Sequence, residues 1–160
     1  MFTFKSSKPA TPSRQRRSGR QSGQSLVEFA LMNVFLTMLL LGIVDIGRAY
    51  FTYLALKDAA AEGAYFGAAY PQCVTHANTA CPAPNNIDYR VRNSSPRGLV
   101  NWSTVDIGVD APNLIPGDSL TVTVTFDYQT ITPFVGTIVG GQSIELGAQS
   151  VAVIVSNATP

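Results

Sequence analysis

The 160-residue chain contains a single histidine, His76, and only two cysteines, Cys73 and Cys81. That scarcity removes most of the usual catalytic constellations. No nucleophile stands in a pattern with a base, no carboxylates are paired for acid–base work, and no glycine-rich phosphate loop occurs. The aspartates fall mostly in stretches that read as strands or turns, so the sequence points away from an enzyme and calls for no cofactor. Two thiols and one imidazole make three metal ligands, with no fourth at a recognisable spacing. Acidic residues are missing altogether from the first 24 positions, which carry Lys5, Lys8, Arg14, Arg16, Arg17 and Arg20, a net of +6. The remainder holds five basic and ten acidic residues, a net of −5.

What separates these two halves is an apolar run. Leu26 to Ile46 is 21 residues, about 31 Å of helix at 1.5 Å per residue, which matches the hydrocarbon thickness of a bilayer. Thirteen of them are Leu, Ile, Val or Phe, together about −6 kcal/mol toward insertion. Glu28 and Asp45 are the only charges in the run, and both sit near its ends, where side chains can reach the interface. The run predicts one membrane span. Excess Lys and Arg before it assigns the N-terminus to the cytoplasm and the rest of the chain to the far side. A basic tail can also serve nucleic acid. Immediately before a span, orientation is the better explanation, and no nucleic-acid partner is expected.

The leader, residues 1–23, is rich in Ser, Pro, Lys and Arg and cannot bury enough surface to offset its ordering entropy, so it reads as disordered. Arg16-Arg17 lacks the apolar residues that follow a twin-arginine export signal. A secretory signal peptide is the other alternative, but the apolar run is too long and no small-x-small site follows Ile46. Past the span, Tyr50, Phe51 and Tyr53 fall where an interfacial aromatic belt would lie. The helix then continues to Tyr70, so that it occupies 24–70 with the transmembrane part at 26–46, and Pro71 ends it. Ala59, Gly63 and Gly67 recur every fourth residue, as do Ala60, Ala64 and Ala68, leaving a nearly flat helix face. Two glycines cost helix propensity and need a reason. Close packing supplies one, either against this protein's own domain or against a neighbouring subunit.

Residues 71–102 read as a disulfide loop with a short helix, Ile87 and Val91 facing inward with the aliphatic part of Arg92. In an oxidising compartment Cys73 and Cys81 are expected to pair, with the metal reading around His76 as the alternative. Residues 103–160 read as an antiparallel sheet. Val105, Ile107 and Val109 alternate with polar residues or glycine, and Pro116-Gly117-Asp118 is a turn. Leu120, Val122, Val124, Phe126 and Tyr128 alternate with Thr121, Thr123, Thr125 and Asp127, which predicts one buried and one wet face. Ile131 to Val139 reads as a crossover with a helical turn. In the last strand, Ser143 to Ser156, the apolar phase changes near Gln149-Ser150 and predicts a bulge. Sequons at Asn93, Asn101 and Asn157 are what chance supplies in a chain this rich in Asn, Ser and Thr. The fold class is therefore α+β, a long transmembrane helix continuing into a small antiparallel sheet domain outside the cytoplasm.

Gly23-Gln24-Ser25-Leu26-Val27-Glu28-Phe29-Ala30-Leu31 resembles the TadE-like family of pilin-like proteins, from the tight-adherence (Tad/Flp) branch of type IV pilus systems. The resemblance continues through Gly42 to Tyr50 and Ala59 to Ala64, and departs at Tyr65, where the family implies Arg. It implies a minor pilin or pseudopilin in the cytoplasmic membrane, acting structurally in adhesion-pilus assembly or secretion. The implied partners are membrane lipid, other pilin subunits, the Tad assembly platform and a prepilin peptidase. Type IV prepilins are cut after a glycine, with a glutamate fifth in the mature chain. A cut after Gly23 makes Gln24 the first residue and Glu28 the fifth, with Phe29 next, and these four are the candidate cleavage and assembly residues. Ser25 and Glu28 also spell a helix capping box, a purely local alternative. The competing class is a single-pass, membrane-tethered binding or surface domain unconnected to any filament.

Overall fold

A computed structural model of the chain describes residues 21–74, 81–95, 98 and 100–156. The disorder expected of the leader up to residue 20, the metal reading at His76 and the sequon at Asn157 lie outside them. The elements follow in the order α1 (Gln21–Ala69), a 3-10 turn (Pro71–Cys73), α2 (Ile87–Asn93), β1 (Asp106–Asp110), β2 (Ser119–Gln129), α3 (Pro133–Val139) and β3 (Ser143–Val153). The fold is α+β, a long apolar helix followed by one antiparallel sheet in the order β1-β2-β3.

The chain divides into two compact units, Met1–Leu39 and Leu40–Pro160. In the first, α1 exposes Leu26, Phe29, Leu31, Phe35 and Leu36. Large apolar side chains exposed this densely call for a non-aqueous or protein neighbour. Among the described residues, α1 is the one helix long and apolar enough to cross a membrane.

The second unit is built on one stripe of α1. Asp45, Thr52, Leu56, Ala59, Gly63 and Gly67 are all buried, at spacings of three, four or seven that keep them on one helix face. Opposite lies the inward face of β2, where Leu120, Val122, Val124 and Tyr128 are buried while the intervening threonines stay half-exposed. The strand is read from its end: Leu120 sits against Gly67 and Val122 against Gly63. Two strand residues advance about 6.8 Å and four helix residues about 6 Å, so the two periodicities stay in step along the contact. Ile87 and Val91 of α2 close over the same stripe, with Val105 and Ile107 completing the core.

Helix ends leave unpaired carbonyls, and here the chain's own C-terminal segment takes two of them. Val155 N–H donates to the Ala68 carbonyl at 3.0 Å, and the Ser156 hydroxyl to that of Ala69 at 2.6 Å. Pro71 prevents further helix and opens the 3-10 turn.

Three expectations are corrected. β3 has no bulge: it pairs with β2 without interruption from Ser119↔Val153 to Gln129↔Ser143. Ala148, Ser150 and Ala152 therefore share the inward face with Ile144 and Leu146, and Val151 and Val153 point outward and are exposed. The segment 131–139 does contain a helical turn, α3, but it joins antiparallel neighbours and is no crossover. Finally, α1 is already helical at Gln21, the first described residue, so Ser25 lies inside the helix and is not its N-cap.

Replacing Gly63 by Ala would put a Cβ 2.6 Å from Val91 Cγ2 and 3.3 Å from Val122 Cγ1. A β-branched helical valine has little freedom to swing away. Overpacking of about 1–3 kcal/mol then outweighs the roughly 1 kcal/mol of helix propensity that Ala returns. At Gly47 an added Cβ meets nothing within 4 Å, and the propensity gain stands alone. Thermal unfolding of full-length protein in micelles should show Gly63→Ala melting below the parent and Gly47→Ala at or above it. Identical melting of both variants would contradict the close approach.

Candidate functional site

The N-terminal candidates sit on the first turns of α1. Gly23, Gln24, Glu28 and Phe29 are helical and exposed, and nothing lies within 4 Å of the position a Gly23 Cβ would take. Gln24 Nε2 donates to Glu28 Oε1 at 3.1 Å, an i,i+4 contact. The capping-box reading of Glu28 gives way to this contact, because the helix extends back past Ser25. Chemically the segment offers an exposed carboxylate at the edge of an apolar run.

The packing residues Ala59, Gly63 and Gly67 lie together in the second unit, buried against α2 and β2 of the same chain. Of the two partners considered for this face, the structure places the protein's own domain there. Tyr65, on the opposite side of α1, is exposed. Cys73 and Cys81 are bonded, with Cα atoms 5.5 Å apart, and both are buried. Their bond ties the end of α1 to the approach to α2, where Asn86 caps the helix by accepting from Tyr89 N–H at 2.8 Å.

A further polar cluster centres on Asp45. Instead of reaching for an interface, its side chain is only 2% exposed. The carboxylate accepts from Ile131 N–H at 3.2 Å and Thr132 N–H at 2.9 Å, and from the Thr132 hydroxyl. The Asp45 backbone carbonyl accepts from the Tyr128 hydroxyl at 3.3 Å. One turn on, the Arg48 guanidinium lies 5.9 Å from the centroid of the Tyr128 ring, within cation–π range. Burial pushes the Tyr128 phenol above its ordinary pKa, more than Arg48 draws it down, so the group donates as a neutral hydroxyl. Residue spacing identified Asp45 as a charge near the end of the apolar run and missed its partners. The signal was present: carrying the Ala59–Gly63–Gly67 stripe back by helical steps reaches Leu56, Thr52 and Asp45.

The cluster joins α1 to the loop between β2 and α3, so its role is positional. Hydrogen bonds to a charged acceptor contribute about 1.5–3 kcal/mol each, and an orphaned buried donor carries a further penalty. Asp45→Ala should therefore destabilise the domain by about 3 kcal/mol, and Asp45→Asn, which keeps one acceptor oxygen, by less. Thermal unfolding of the full chain in micelles checks the order. Limited proteolysis should show cleavage at 129–132 appearing first in Asp45→Ala. An Asp45→Ala protein as stable and as resistant as the parent would remove the cluster's structural role.

No curated protein and no solved structure matches the chain. Residues 23–64, from the exposed Gly23 to just past Gly63 of the packing stripe, match the family described as TadE-like protein.

Proposed function

We propose that the chain is a membrane-anchored minor pilin or pseudopilin of a Tad/Flp-type system, acting structurally through α1 in pilus assembly or secretion. The observation that carries the reading is the separation of Gly23 and Glu28, both exposed, on a helix that is TadE-like over residues 23–64. A prepilin peptidase would cut after Gly23 and leave a new ammonium group at Gln24. Glu28 of an adjacent subunit then neutralises that charge at the membrane, and Phe29 packs beside it. An unpaired charge is expensive in low dielectric, so the ion pair favours one axial register as subunits dock. The basic leader holds the N-terminus in the cytoplasm, and the sheet domain lies on the far side of the inner membrane. Other pilin subunits and the Tad assembly platform are the partners this arrangement serves.

The local alternative leaves Glu28 with Gln24 alone, and one substitution separates the two. Gln at position 28 retains a side-chain acceptor for Gln24 but carries no charge. Glu28→Gln protein should insert, fold and be processed normally, yet fail to enter its assembly when it is the only copy. Normal pilus output from that strain would reduce Glu28 to a helix contact. N-terminal sequencing of the protein from cells should begin at Gln24, and a first residue elsewhere would remove the peptidase from the scheme.

Orientation is checked independently. A thiol reagent that cannot cross membranes should label Ser119→Cys on spheroplasts. Labelling only after lysis would place the domain in the cytoplasm and reverse the topology.

A further inference from the structure

We propose that α3 is a lipid-docking helix, its apolar side inserted at the headgroup–acyl boundary of the leaflet on the domain's side of the membrane. The proposal rests on the reading of α1 as a membrane span. Within nine consecutive residues, Ile131, Phe134, Ile138 and Val139 are 63%, 46%, 68% and 49% exposed. No charged residue occurs between Asp127 and Glu145, the one charge on each flanking strand. Exposed apolar side chains gathered in this way mark a surface that meets a membrane or another protein.

Position along α1 identifies the occupant. Val135 Cγ2 stands 4.0 Å from the place a Gly42 Cβ would take, so α3 lies beside Gly42. Gly42 is four residues before Ile46, the last residue of the apolar run, and so about 6 Å inside it along the helix axis. Interfacial helices are buried to about 5–10 Å, a depth of the same order. Around Gly42, α1 exposes Leu40, Leu41, Ile43 and Val44, so the apolar side of α3 continues a surface that already faces lipid.

Two further features suit that setting. α3 is held at this depth: Ile131 and Thr132, at its entry, donate to the Asp45 carboxylate. Several of its polar backbone groups are also served internally, which suits a lipid setting. Pro133 has no N–H to satisfy, Gly136 N–H donates to the Thr132 carbonyl, Gly140 N–H donates back to Gly136, and Thr137 Oγ1 donates to the Pro133 carbonyl.

The test uses full-length protein in phosphatidylcholine nanodiscs, one copy per disc. The two native cysteines are disulfide-bonded, so an introduced thiol takes the label. Ile138→Cys and, as a second site, Phe134→Cys carry an environment-sensitive fluorophore. Leu36→Cys reports the span, and Ser119→Cys reports the far end of β2, about 34 Å from Gln129 at 3.4 Å per residue. Both α3 labels should emit to the blue of the Ser119 label and lose most of their emission to lipids spin-labelled near the headgroup. Aqueous iodide should quench only the Ser119 label. Iodide quenching at 134 and 138 while 36 stays lipid-quenched would overturn the proposal and leave the span standing. Shielding from both quenchers only in discs holding two copies would make a second chain the occupant, again overturning it. Loss of lipid quenching at 36 and 138 together would remove the span, and the proposal with it.

Discussion

The approach of β2 to α1 at Gly63 and Gly67 is the constraint on which the second unit depends. Leu120 and Val122 occupy the space that side chains at those two positions would fill. Two strand residues nearly match four helix residues in length, so fixing those contacts fixes the rest of the line. Eight residues after Leu120, Tyr128 reaches the Asp45 carbonyl, and the chain then turns under Asp45 through Ile131 and Thr132. The other end is set by the same register, because β3 pairs with β2 throughout and so delivers Val155 and Ser156 to the last carbonyls of α1. A larger residue at either glycine would therefore disturb contacts well beyond its own neighbourhood.

How legible each part was in the sequence follows from how many residues carried its signal. α1 announces itself by the length of its apolar run and by the small residues from Ala59 to Ala68, and β2 by an unbroken period over 11 residues that gives its inward face. β3 misled because polarity and packing disagree there. Val151 and Val153 are the apolar residues of its second half, yet Ser150 and Ala152 are the ones facing inward, on the side of Ala61, Ala64 and Ala68 of α1. The pairing register set by β2, unbroken along the whole strand, decides the matter. The capping box failed for a different reason: Ser25 and Glu28 have the right spacing, but the chain is already helical at Gln21. A cap is a property of a helix end, and the motif alone does not say where the helix ends.

The candidate residues divide along the same line. Gly23, Gln24, Glu28 and Phe29 keep their side chains exposed on the first unit, where the chain itself offers only the Gln24–Glu28 contact. Their meaning rests on the TadE-like match of residues 23–64 and on what a second subunit would bring. The packing glycines need no second subunit, since this chain's own valines and leucines already fill the face. A glycine-rich helix face invites an assembly reading, and the geometry packs it against this chain's own domain.

Asp45 is where α1 changes its surroundings. Before it the helix exposes Leu40, Leu41, Ile43 and Val44; from it onward one face is buried against the sheet. An acidic residue in the last turn of an apolar run opposes deeper insertion by an amount that falls toward the helix end. Here the carboxylate is met by two backbone amides and a hydroxyl from the domain, so the charge is accommodated only while that domain is folded. Folded, it shields Asp45 and brings the uncharged α3 alongside Gly42. One carboxylate thereby ties the end of the apolar run to the loop that leads into α3, so the two are positioned together.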